Sequence, residues 1–262
     1  MSRVVLVTGG AKGIGASIVR AFANAGDNVI VADQDQESGE RLVKELGEKV
    51  HFLLLDIQDD IAIEATINKI KATFGGVHVL VNNACVYQDH GFYSTREQWH
   101  ASLSVNVVSA AIMAQQVATI MAEGAVIINM GSIGGKIAAR NRLLYPVSKA
   151  AVLHLTKSLA VELAPKKIRV VSVSPAWTWT PTLAEMVNED RLLADRVGAI
   201  MHPLGRVGDG MEVASVVYFL ASMQASWITG VDIPVDGGFS ALGPDQGQGP
   251  RYWFEQIMYG EN

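Results

Sequence analysis

The N-terminal stretch of this chain reads VVLVTGGAKGIG over residues 4–15. An apolar strand candidate leads into a glycine-rich turn, and an amphipathic segment follows at residues 14–25. Glycines here let the chain turn tightly and let a pyrophosphate approach the backbone at a helix N-terminus. The spacing G-x-x-x-G-x-G differs from the G-x-G-x-x-G dinucleotide fingerprint, and such turns also occur where a helix packs close to a strand. The stretch predicts a strand–loop–helix unit with a dinucleotide as candidate ligand.

Short apolar runs alternate with longer amphipathic stretches almost to the end of the chain. Several runs are apolar throughout, which is typical of strands buried on both faces of a parallel sheet. The strand candidates are residues 4–7, 28–32, 51–55, 78–81, 125–130, 169–173 and 232–235. The helix candidates lie near residues 14–25, 37–46, 60–73, 101–121, 147–163 and 211–222. The alternation predicts an α/β fold, a doubly wound sheet of about seven parallel strands with helices on both faces.

Two segments interrupt this alternation. Residues 176–210 contain proline, tryptophan and polar residues, with a helix candidate near residues 183–197, and we predict that they form a lid. Residues 241–262 are rich in glycine, proline and glutamine before an aromatic end, and we predict that they form a C-terminal tail. Because no internal repeat or domain linker is evident, residues 1–262 are predicted to fold as a single dinucleotide-binding and catalytic domain.

Composition argues against several classes of partner and compartment. The 262 residues are 49% hydrophobic and 18% charged, with a net charge of −5 and no clustered basic face, so nucleic acid is not a predicted partner. Cys85 is the only cysteine, which excludes an intramolecular disulfide and favours a reducing compartment. No signal-like segment and no apolar run long enough to span a bilayer is evident. We therefore expect a cytoplasmic protein with no membrane partner.

Asp33 is the candidate selector of the cofactor. It ends the second strand candidate, at about the distance where a dinucleotide site places its ribose-binding acid. A carboxylate accepts hydrogen bonds from the adenosine 2′-hydroxyl and repels a 2′-phosphate, which favours NAD over NADP. Lys12 in the glycine loop favours the opposite choice, because a cation there could meet a phosphate. Asp33 could also be only a turn residue. We weight Asp33 more heavily and predict NAD.

Tyr145 and Lys149 open a helix candidate. A spacing of four places both on the same helical face, and Pro146 suits the first turn. A free tyrosine has a pKa of roughly 10, and an adjacent ammonium lowers it enough to make Tyr145 a usable proton acceptor. Ser132 follows the strand candidate at residues 125–130, at the sheet edge where open α/β sheets bind ligands. The alternative role for Ser132 is a helix cap or a turn.

Together these motifs resemble those of the short-chain dehydrogenase/reductases, in the branch of compact single-domain enzymes. The resemblance runs from Val4 to about Gly238. It is carried by Thr8-Gly9-x3-Gly13-Ile14-Gly15, Asp56, Asn82-Asn83-Ala84, Asn106, Ser132, Tyr145-x3-Lys149 and Pro175…Thr180, all in the expected order. It implies a Rossmann fold, an NAD cofactor, and hydride transfer to or from a small-molecule substrate that bears a hydroxyl or keto oxygen.

The resemblance also implies a role for each site residue. Tyr145 is the catalytic acid/base, and Ser132 holds the substrate oxygen. Lys149 binds the nicotinamide ribose and tunes Tyr145, while Asn106 supports a proton relay through water. Asp56 and Ile57 flank the adenine, Asn82 and Ala84 line the cofactor channel, and Thr180 contacts the nicotinamide carboxamide. The implied cofactor-binding set is Gly9, Gly13, Ile14, Gly15, Asp33, Asp56, Ile57, Asn82, Ala84, Tyr145, Lys149 and Thr180.

Two positions depart from the family pattern. Cys85 stands where the family usually has glycine after Asn-Asn-Ala, and Ala176 replaces the usual glycine after Pro175. Neither change removes a reacting group. Cys85 is either a reactive thiol or a small buried space-filler, and the second role is the more ordinary one for cysteine.

By the resemblance, the substrate lies between the catalytic helix and the lid. Trp177 and Trp179 either wall an apolar pocket or pack the lid onto the sheet. Arg140 and Arg142 lie between Ser132 and the catalytic helix, where they either clamp an anionic substrate or are simply solvated. The sequence leaves both alternatives open.

The predicted function is reversible, NAD(H)-linked oxidation of a secondary alcohol, for which a sugar, a polyol or a hydroxy acid is the expected class. One alternative is an NADPH-dependent ketoreductase of the 3-oxoacyl type, which Lys12 favours and Asp33 disfavours. The other alternative is a non-catalytic NAD-binding regulator or structural subunit. Proteins of that class usually lack at least one reacting side chain. In this sequence all four are present: Asn106, Ser132, Tyr145 and Lys149.

The resemblance further predicts a homotetramer, with a four-helix contact built from the helix candidates at 101–121 and 147–163. The apolar tail at residues 252–259 is a candidate to reach toward a neighbouring active site. His90 and His202 show no metal-ligand spacing, so no metal site is predicted.

Overall fold

The computed structural model of the protein describes residues 2–259, with a parallel sheet at its centre. The sheet strands are β1 (Val4–Thr8), β2 (Asn28–Asp33), β3 (Val50–Leu54), β4 (Val77–Asn82), β5 (Met121–Met130), β6 (Arg169–Pro175) and, after two short strands in the lid, β9 (Asp232–Val235). Their order is β3-β2-β1-β4-β5-β6-β9, and every adjacent pair is parallel. Because the chain winds outward from β1 in both directions, the predicted doubly wound fold is confirmed.

The helices cover both faces of the sheet. They are α1 (Gly13–Asn24), α2 (Gln36–Leu46), α3 (Asp60–Phe74), α4 (Arg96–Leu103), α5 (Ser109–Val117), α6 (Leu144–Leu163), α7 (Pro181–Met186), α8 (Arg191–Met201), α9 (Gly210–Leu220) and α10 (Pro250–Tyr259). Successive side chains of a strand point to opposite faces, so Val5 packs with α1 and α9 while Leu6 packs with α3 and α5. This two-sided burial explains why the strand runs are apolar throughout.

The helix expected over residues 101–121 differs in the structure. The region comprises α4, a π-helical segment (Ser104–Val108) and α5, and β5 already begins at Met121. The Ser109 hydroxyl donates to the Ser104 carbonyl across the π-helical segment at 3.0 Å. The wider turn carries the buried Asn106, whose side chain binds groups outside its own helix. Helical periodicity alone does not reveal this interruption.

The predicted lid segment at residues 176–210 contains α7, α8 and a small parallel pair, β7 (Thr178–Trp179) and β8 (Gly208–Asp209). The single helix expected near residues 183–197 is wrong. Asn188 and Glu189 adopt φ angles of 49° and 63°, in the left-handed region, and therefore separate α7 from α8. A new helix starts after them, because Asp190 accepts a hydrogen bond from the Leu193 amide at 2.9 Å.

The predicted tail at residues 241–262 extends beyond the described part of the chain by its last three residues. Its described part ends in α10, in which every residue is exposed. Within residues 2–259, no helix combines the length and the apolar character needed to cross a membrane.

Candidate active site

A cleft of about 410 Å³ opens at the carboxyl ends of the central strands, next to the glycine loop. Such an edge is where open α/β sheets bind their ligands. Of the residues that the sequence assigns to the cofactor, the cleft is lined by Gly9, Gly13, Ile14, Gly15, Asp33, Asp56, Ile57, Ala84 and Thr180. The structure therefore brings together, around one cavity, nine positions from five separate parts of the chain.

At two positions the backbone of the glycine loop packs too closely on its surroundings for a side chain to fit. A Cβ atom on Gly9 would lie 2.7 Å from the Ala84 Cα atom, and one on Gly15 would lie 2.1 Å from the Gly9 carbonyl oxygen. Gly9 and Gly13 also adopt φ angles of 61° and 57°, which favour glycine. No side chain accepts a hydrogen bond at the N-cap of α1. Its free amide groups can therefore hold a pyrophosphate.

The Asn83 side chain holds this loop against β4. Its Nδ2 atom donates to the Thr8 carbonyl at 3.1 Å and to the Gly9 carbonyl at 2.7 Å. The Thr8 hydroxyl in turn accepts hydrogen bonds from the Asn83 and Ala84 amides, at 3.1 and 3.2 Å. The motif Asn82-Asn83-Ala84 does not by itself reveal this role of Asn83, because the contacts join residues 74 or more positions apart.

Asn82 lies elsewhere than the sequence predicts. Its side chain is buried behind the cleft, where Nδ2 donates to the Ala110 carbonyl at 3.1 Å and to Asn129 Oδ1 at 2.9 Å. Asn129 continues the chain by donating to the Thr156 hydroxyl at 2.9 Å. Successive side chains of a strand point to opposite faces of the sheet, and the Asn82 side chain points into buried structure and not toward the cleft. Asn82 therefore joins β4 to α5 and β5, and it is not among the residues that line the cleft.

The end of the cleft next to Asp33 carries a negative charge. Asp33 Oδ2 accepts a hydrogen bond from the Ala11 amide at 2.9 Å, and Oδ1 accepts one from the Asp35 amide at 3.0 Å. Lys12 forms an ion pair with Asp35. The hydrogen bond from Lys12 lowers the pKa of Asp35 to about 2. The charge of Lys12 is therefore already balanced, whereas Asp33 and Asp56 have no ion-pair partner among residues 2–259.

Tyr145 and Lys149 lie in the first two turns of α6, and both are buried. The Lys149 ammonium donates to the Met130 carbonyl at 2.7 Å and lies 5.6 Å from the centroid of the Tyr145 ring. Ser132 follows β5 directly, and its hydroxyl accepts a hydrogen bond from the Gly134 amide at 3.0 Å. The cap role considered for Ser132 is thus present in the structure, and it leaves the hydroxyl proton free to be donated.

The protonation of Tyr145 is set mainly by burial. Burial raises its pKa above 10, and the positive charge of Lys149 lowers it, as the sequence predicts. Cys85 raises the pKa further, while the Ser132 hydroxyl and the Arg142 guanidinium lower it. Together, these opposing influences raise the pKa of Tyr145. The raised pKa favours the protonated phenol, which can give its proton to a carbonyl oxygen, and burial outweighs the opposing influence of Lys149.

Asn106 joins the loop after β4 to α6. Its Oδ1 atom accepts from the Val86 amide at 2.8 Å, and its Nδ2 atom donates to the Val86 carbonyl at 3.1 Å and to the Ser148 hydroxyl at 3.0 Å. Ser148 donates to the carbonyl of Tyr145 at 2.8 Å. Both groups of the Asn106 amide are therefore bonded to the structure that surrounds Tyr145.

Asp89, which no sequence pattern indicates, caps the N-terminus of α6. Its Oδ2 atom accepts hydrogen bonds from the Leu143 and Tyr145 amides at 2.8 and 3.1 Å, and Oδ1 accepts one from the Gly91 amide at 2.9 Å. Burial raises the pKa of Asp89, but these backbone hydrogen bonds lower it by more. A local capping pattern could not reveal this contact, because Asp89 precedes Tyr145 by 56 residues.

We expect the Asp89→Ala variant to lose about 1–2 kcal/mol of stability, the usual value of an N-cap, and roughly tenfold in kcat. The activity falls because the Tyr145 amide is no longer held and the phenol loses its fixed position. Thermal unfolding and steady-state kinetics measure the two effects.

The matched control for this cap is Asp59→Ala. Asp59 caps α3 by accepting from the Ile61 and Ala62 amides, both at 3.0 Å, and it does not line the cleft. This variant should lose similar stability with an unchanged kcat. Equal kcat values in the two variants would show that the Asp89 cap does not position Tyr145.

The two tryptophans of the lid pack against protein side chains. The ring centroid of Trp177 lies 6.1 Å from that of His202, and the Arg191 guanidinium lies 5.3 Å from the centroid of Trp179. The ring that stacks on Tyr145 belongs instead to Tyr87, at 4.9 Å and an interplanar angle of 27°. Tyr87 also lines the cleft, so it connects the cleft with α6.

The sheet, the glycine cradle and the buried Tyr–Lys pair define a nicotinamide-dependent oxidoreductase that acts on a CH–OH group. A family model described as "Enoyl-(Acyl carrier protein) reductase" matches residues 9–240. The chain belongs to the short-chain dehydrogenase/reductase family.

Individual relatives agree with this membership over most of their length. A 3alpha-hydroxysteroid dehydrogenase of Mediterraneibacter gnavus is 36% identical over 244 residues, which cover 90% of this chain and 96% of the relative. A 3-oxoacyl-[acyl-carrier-protein] reductase of Thermotoga maritima is 36% identical over 243 residues, covering 90% and 97%. The solved structure "ElxO with NADP Bound" superposes with a TM-score of 0.84 at 30% identity, covering 92% of this chain and 100% of that one.

Proposed function

We propose that the protein is an NAD(H)-dependent dehydrogenase that interconverts a secondary alcohol and its carbonyl, with a sugar, a polyol or a hydroxy acid as substrate. The observation that carries the proposal is the meeting of Ser132 and Lys149 at the Tyr145 ring. This ring stacks on Tyr87, which lines the same cleft as the glycine loop. Proton-transferring and hydride-transferring groups need this proximity, because the two transfers occur at one carbinol group.

In the proposed mechanism, bound nicotinamide supplies the hydride acceptor or donor. Ser132 donates a hydrogen bond to the substrate oxygen and holds it next to the phenol. Tyr145 gives its proton to that oxygen in reduction and takes it back in oxidation. Lys149 binds the nicotinamide ribose and favours the phenolate by its charge. Asn106 holds the surrounding backbone, and its expected part in a proton relay through water stays a proposal.

The remaining positions bind the cofactor in this proposal. Gly9, Gly13, Ile14 and Gly15 hold the pyrophosphate at the N-terminus of α1. Asp56 and Ile57 flank the adenine, Ala84 lines the channel and Thr180 contacts the carboxamide. Each of these residues lines the cleft.

The choice of NAD rests on Asp33. A 2′-phosphate at this end of the cleft would meet the Asp33 carboxylate, while the nearest candidate cation, Lys12, is already paired with Asp35. Two findings favour NADP instead. A structural neighbour holds NADP, and a 36% identical relative is a 3-oxoacyl reductase. An NADPH-dependent ketoreductase of that type is therefore the second candidate.

We expect wild-type kcat/KM to be about 10- to 100-fold higher with NAD than with NADP, and the Asp33→Asn variant to remove most of this difference. The factor corresponds to the roughly 1.5–3 kcal/mol carried by hydrogen bonds to a charged group. The measurement is NAD(P)H absorbance with each cofactor separately, against sugars, polyols, hydroxy acids, steroids and 3-oxoacyl thioesters.

Asp60→Asn is the control for this prediction, because Asp60 is an exposed carboxylate that does not line the cleft. It should leave the cofactor ratio unchanged. Turnover only with NADPH and a ketone would replace this proposal with the ketoreductase. Cofactor binding without turnover of any alcohol or ketone would favour the third candidate, a non-catalytic NAD-binding regulator.

We also propose a homotetramer and a cytoplasmic location. The exposed apolar residues Val108, Val147 and Val161, next to α5 and on α6, support an assembly through these helices. The exposed apolar side chains of α10 are consistent with a tail that packs against a neighbouring subunit. The location rests on the lone cysteine and the overall composition.

A further inference from the structure

Arg142 lies next to the reacting phenol. Its guanidinium carbon lies 5.4 Å from the centroid of the Tyr145 ring. The side chain is exposed, and its charge lowers the pKa of Tyr145. Arg140, two residues earlier, makes no cation–π contact and no ion pair within residues 2–259. Of the two arginines that the sequence places near the site, the structure brings only Arg142 to the ring.

The backbone on both sides of Arg142 is held in place. The Arg142 amide donates to the Ala139 carbonyl at 3.4 Å across an isolated bridge, and the Leu143 amide donates to Asp89 at 2.8 Å. Asn141 packs so closely on the neighbouring loop that a Cβ atom on Gly91 would lie 3.0 Å from the Asn141 Cα atom. The backbone that carries the Arg142 side chain is therefore held in a fixed turn.

No carboxylate of the described chain neutralises this charge. None of the ion pairs within residues 2–259 includes Arg142. Asp89, the acid bonded to its neighbour Leu143, uses both oxygens to accept backbone amides. By contrast, Arg3, Arg191 and Arg206 each pair with a carboxylate at 2.6–2.7 Å. Arg142 is thus a partly preorganised cation that still lacks an anion.

We infer that Arg142 binds the carboxylate of the substrate, so that the substrate is a short hydroxy acid in one direction and the corresponding keto acid in the other. The inference rests on the proposed function and names one of its three substrate classes. The planar guanidinium can hold a carboxylate through two parallel hydrogen bonds, which also fixes the orientation of the carbinol carbon beside Tyr145. A phosphate ester carries nearly twice the charge of a carboxylate, whereas Arg142 is the one exposed cation of the described chain at this ring. The other cation, Lys149, is buried and donates to the Met130 carbonyl.

The test compares short 2-hydroxy and 3-hydroxy acids with their methyl esters, which keep the alcohol and remove the charge. With NAD, the wild-type enzyme should show kcat/KM at least tenfold higher for the matching acid than for its ester. Arg142→Gln should lower this acid-to-ester ratio about 10- to 100-fold, mainly by raising KM for the acid. Using the ratio cancels the effect of Arg142 on the pKa of Tyr145, which acts on both substrates.

Two further variants sharpen the test. Arg142→Lys should recover part of the ratio, because it restores the charge without the planar pair of donors. Arg140→Gln removes the same charge from the same loop and should leave the ratio unchanged. Equal wild-type rates for acid and ester, an unchanged ratio in Arg142→Gln, or preference for a phosphate ester would each overturn the inference.

Failure of this inference is distinguishable from failure of the proposed function. If a neutral sugar or polyol is oxidised with NAD while hydroxy acids are not, the dehydrogenase proposal stands and the carboxylate inference falls. If no alcohol is oxidised and no carbonyl is reduced with either cofactor, both fall together.

Discussion

Tyr145→Phe is expected to lower kcat by about 10² to 10⁴-fold while NAD binds with an affinity close to that of the wild type. The substitution removes only the hydroxyl, and with it the group that exchanges a proton with the substrate oxygen, a contribution of this size in general acid–base catalysis. The aromatic ring remains, so stacking on Tyr87 and packing against Lys149 are preserved. Steady-state kinetics measures the loss, and titration of protein fluorescence or calorimetry measures the affinity for NAD.

Tyr93→Phe is the matched control for this substitution. Tyr93 is 87% exposed and contacts Phe92 through its ring, so loss of its hydroxyl removes no group from the site. Its kcat should equal that of the wild type. A Tyr145→Phe variant that kept more than a tenth of wild-type turnover would refute Tyr145 as the acid/base.

Gly15→Ala is expected to weaken NAD binding by about 100-fold and to destabilise the protein by about 1–3 kcal/mol. The added Cβ atom would lie 2.1 Å from the Gly9 carbonyl oxygen, 2.6 Å from Asn83 Nδ2 and 3.0 Å from the Gly10 Cα atom. Two of these three neighbours are backbone, so the loop itself must move, which carries the usual cost of overpacking. The same movement displaces the amides that would hold the pyrophosphate, and each 1.4 kcal/mol lost there is tenfold in affinity.

Gly208→Ala provides the comparison. A Cβ atom on Gly208 would find its nearest neighbour at 3.6 Å, an ordinary contact, and the backbone there has no positive φ angle. This variant should bind NAD with the affinity of the wild type and should unfold at the same temperature. Circular dichroism should show that Gly15→Ala remains folded while its affinity falls. Binding of NAD to Gly15→Ala with wild-type affinity would mean that the glycine loop is not the pyrophosphate site.

Local sequence patterns were sufficient for the sheet and for its binding edge. The strands could be located because burial on both faces makes each of them a continuous apolar run, as in β1, where every residue is buried. The glycine loop could be recognised because its positive φ angles and close approaches require glycine at particular positions. Tyr145 and Lys149 could be paired because a spacing of four fixes their relative position on any α-helix.

The same patterns failed where contacts with distant residues determine the backbone. The π-helical segment at Ser104–Val108 carries Asn106, which binds Val86 and Ser148 across loops. The break between α7 and α8 rests on two non-glycine residues in the left-handed region, which no composition rule would locate. Both regions retain helical periodicity, so the sequence reads them as continuous helices.

The chemistry of the site depends most on contacts that the sequence does not specify. Asn82 and Asn83 are adjacent and chemically identical, yet only the fold shows that the first joins buried elements and the second holds the glycine loop. The cap that Asp89 provides for α6 spans 56 residues. The pKa of Tyr145 is raised because the desolvation of a buried phenol exceeds the influence of Lys149. Spacing along a chain defines which groups can meet on one helix, whereas burial and charge balance arise from all the segments that pack around them.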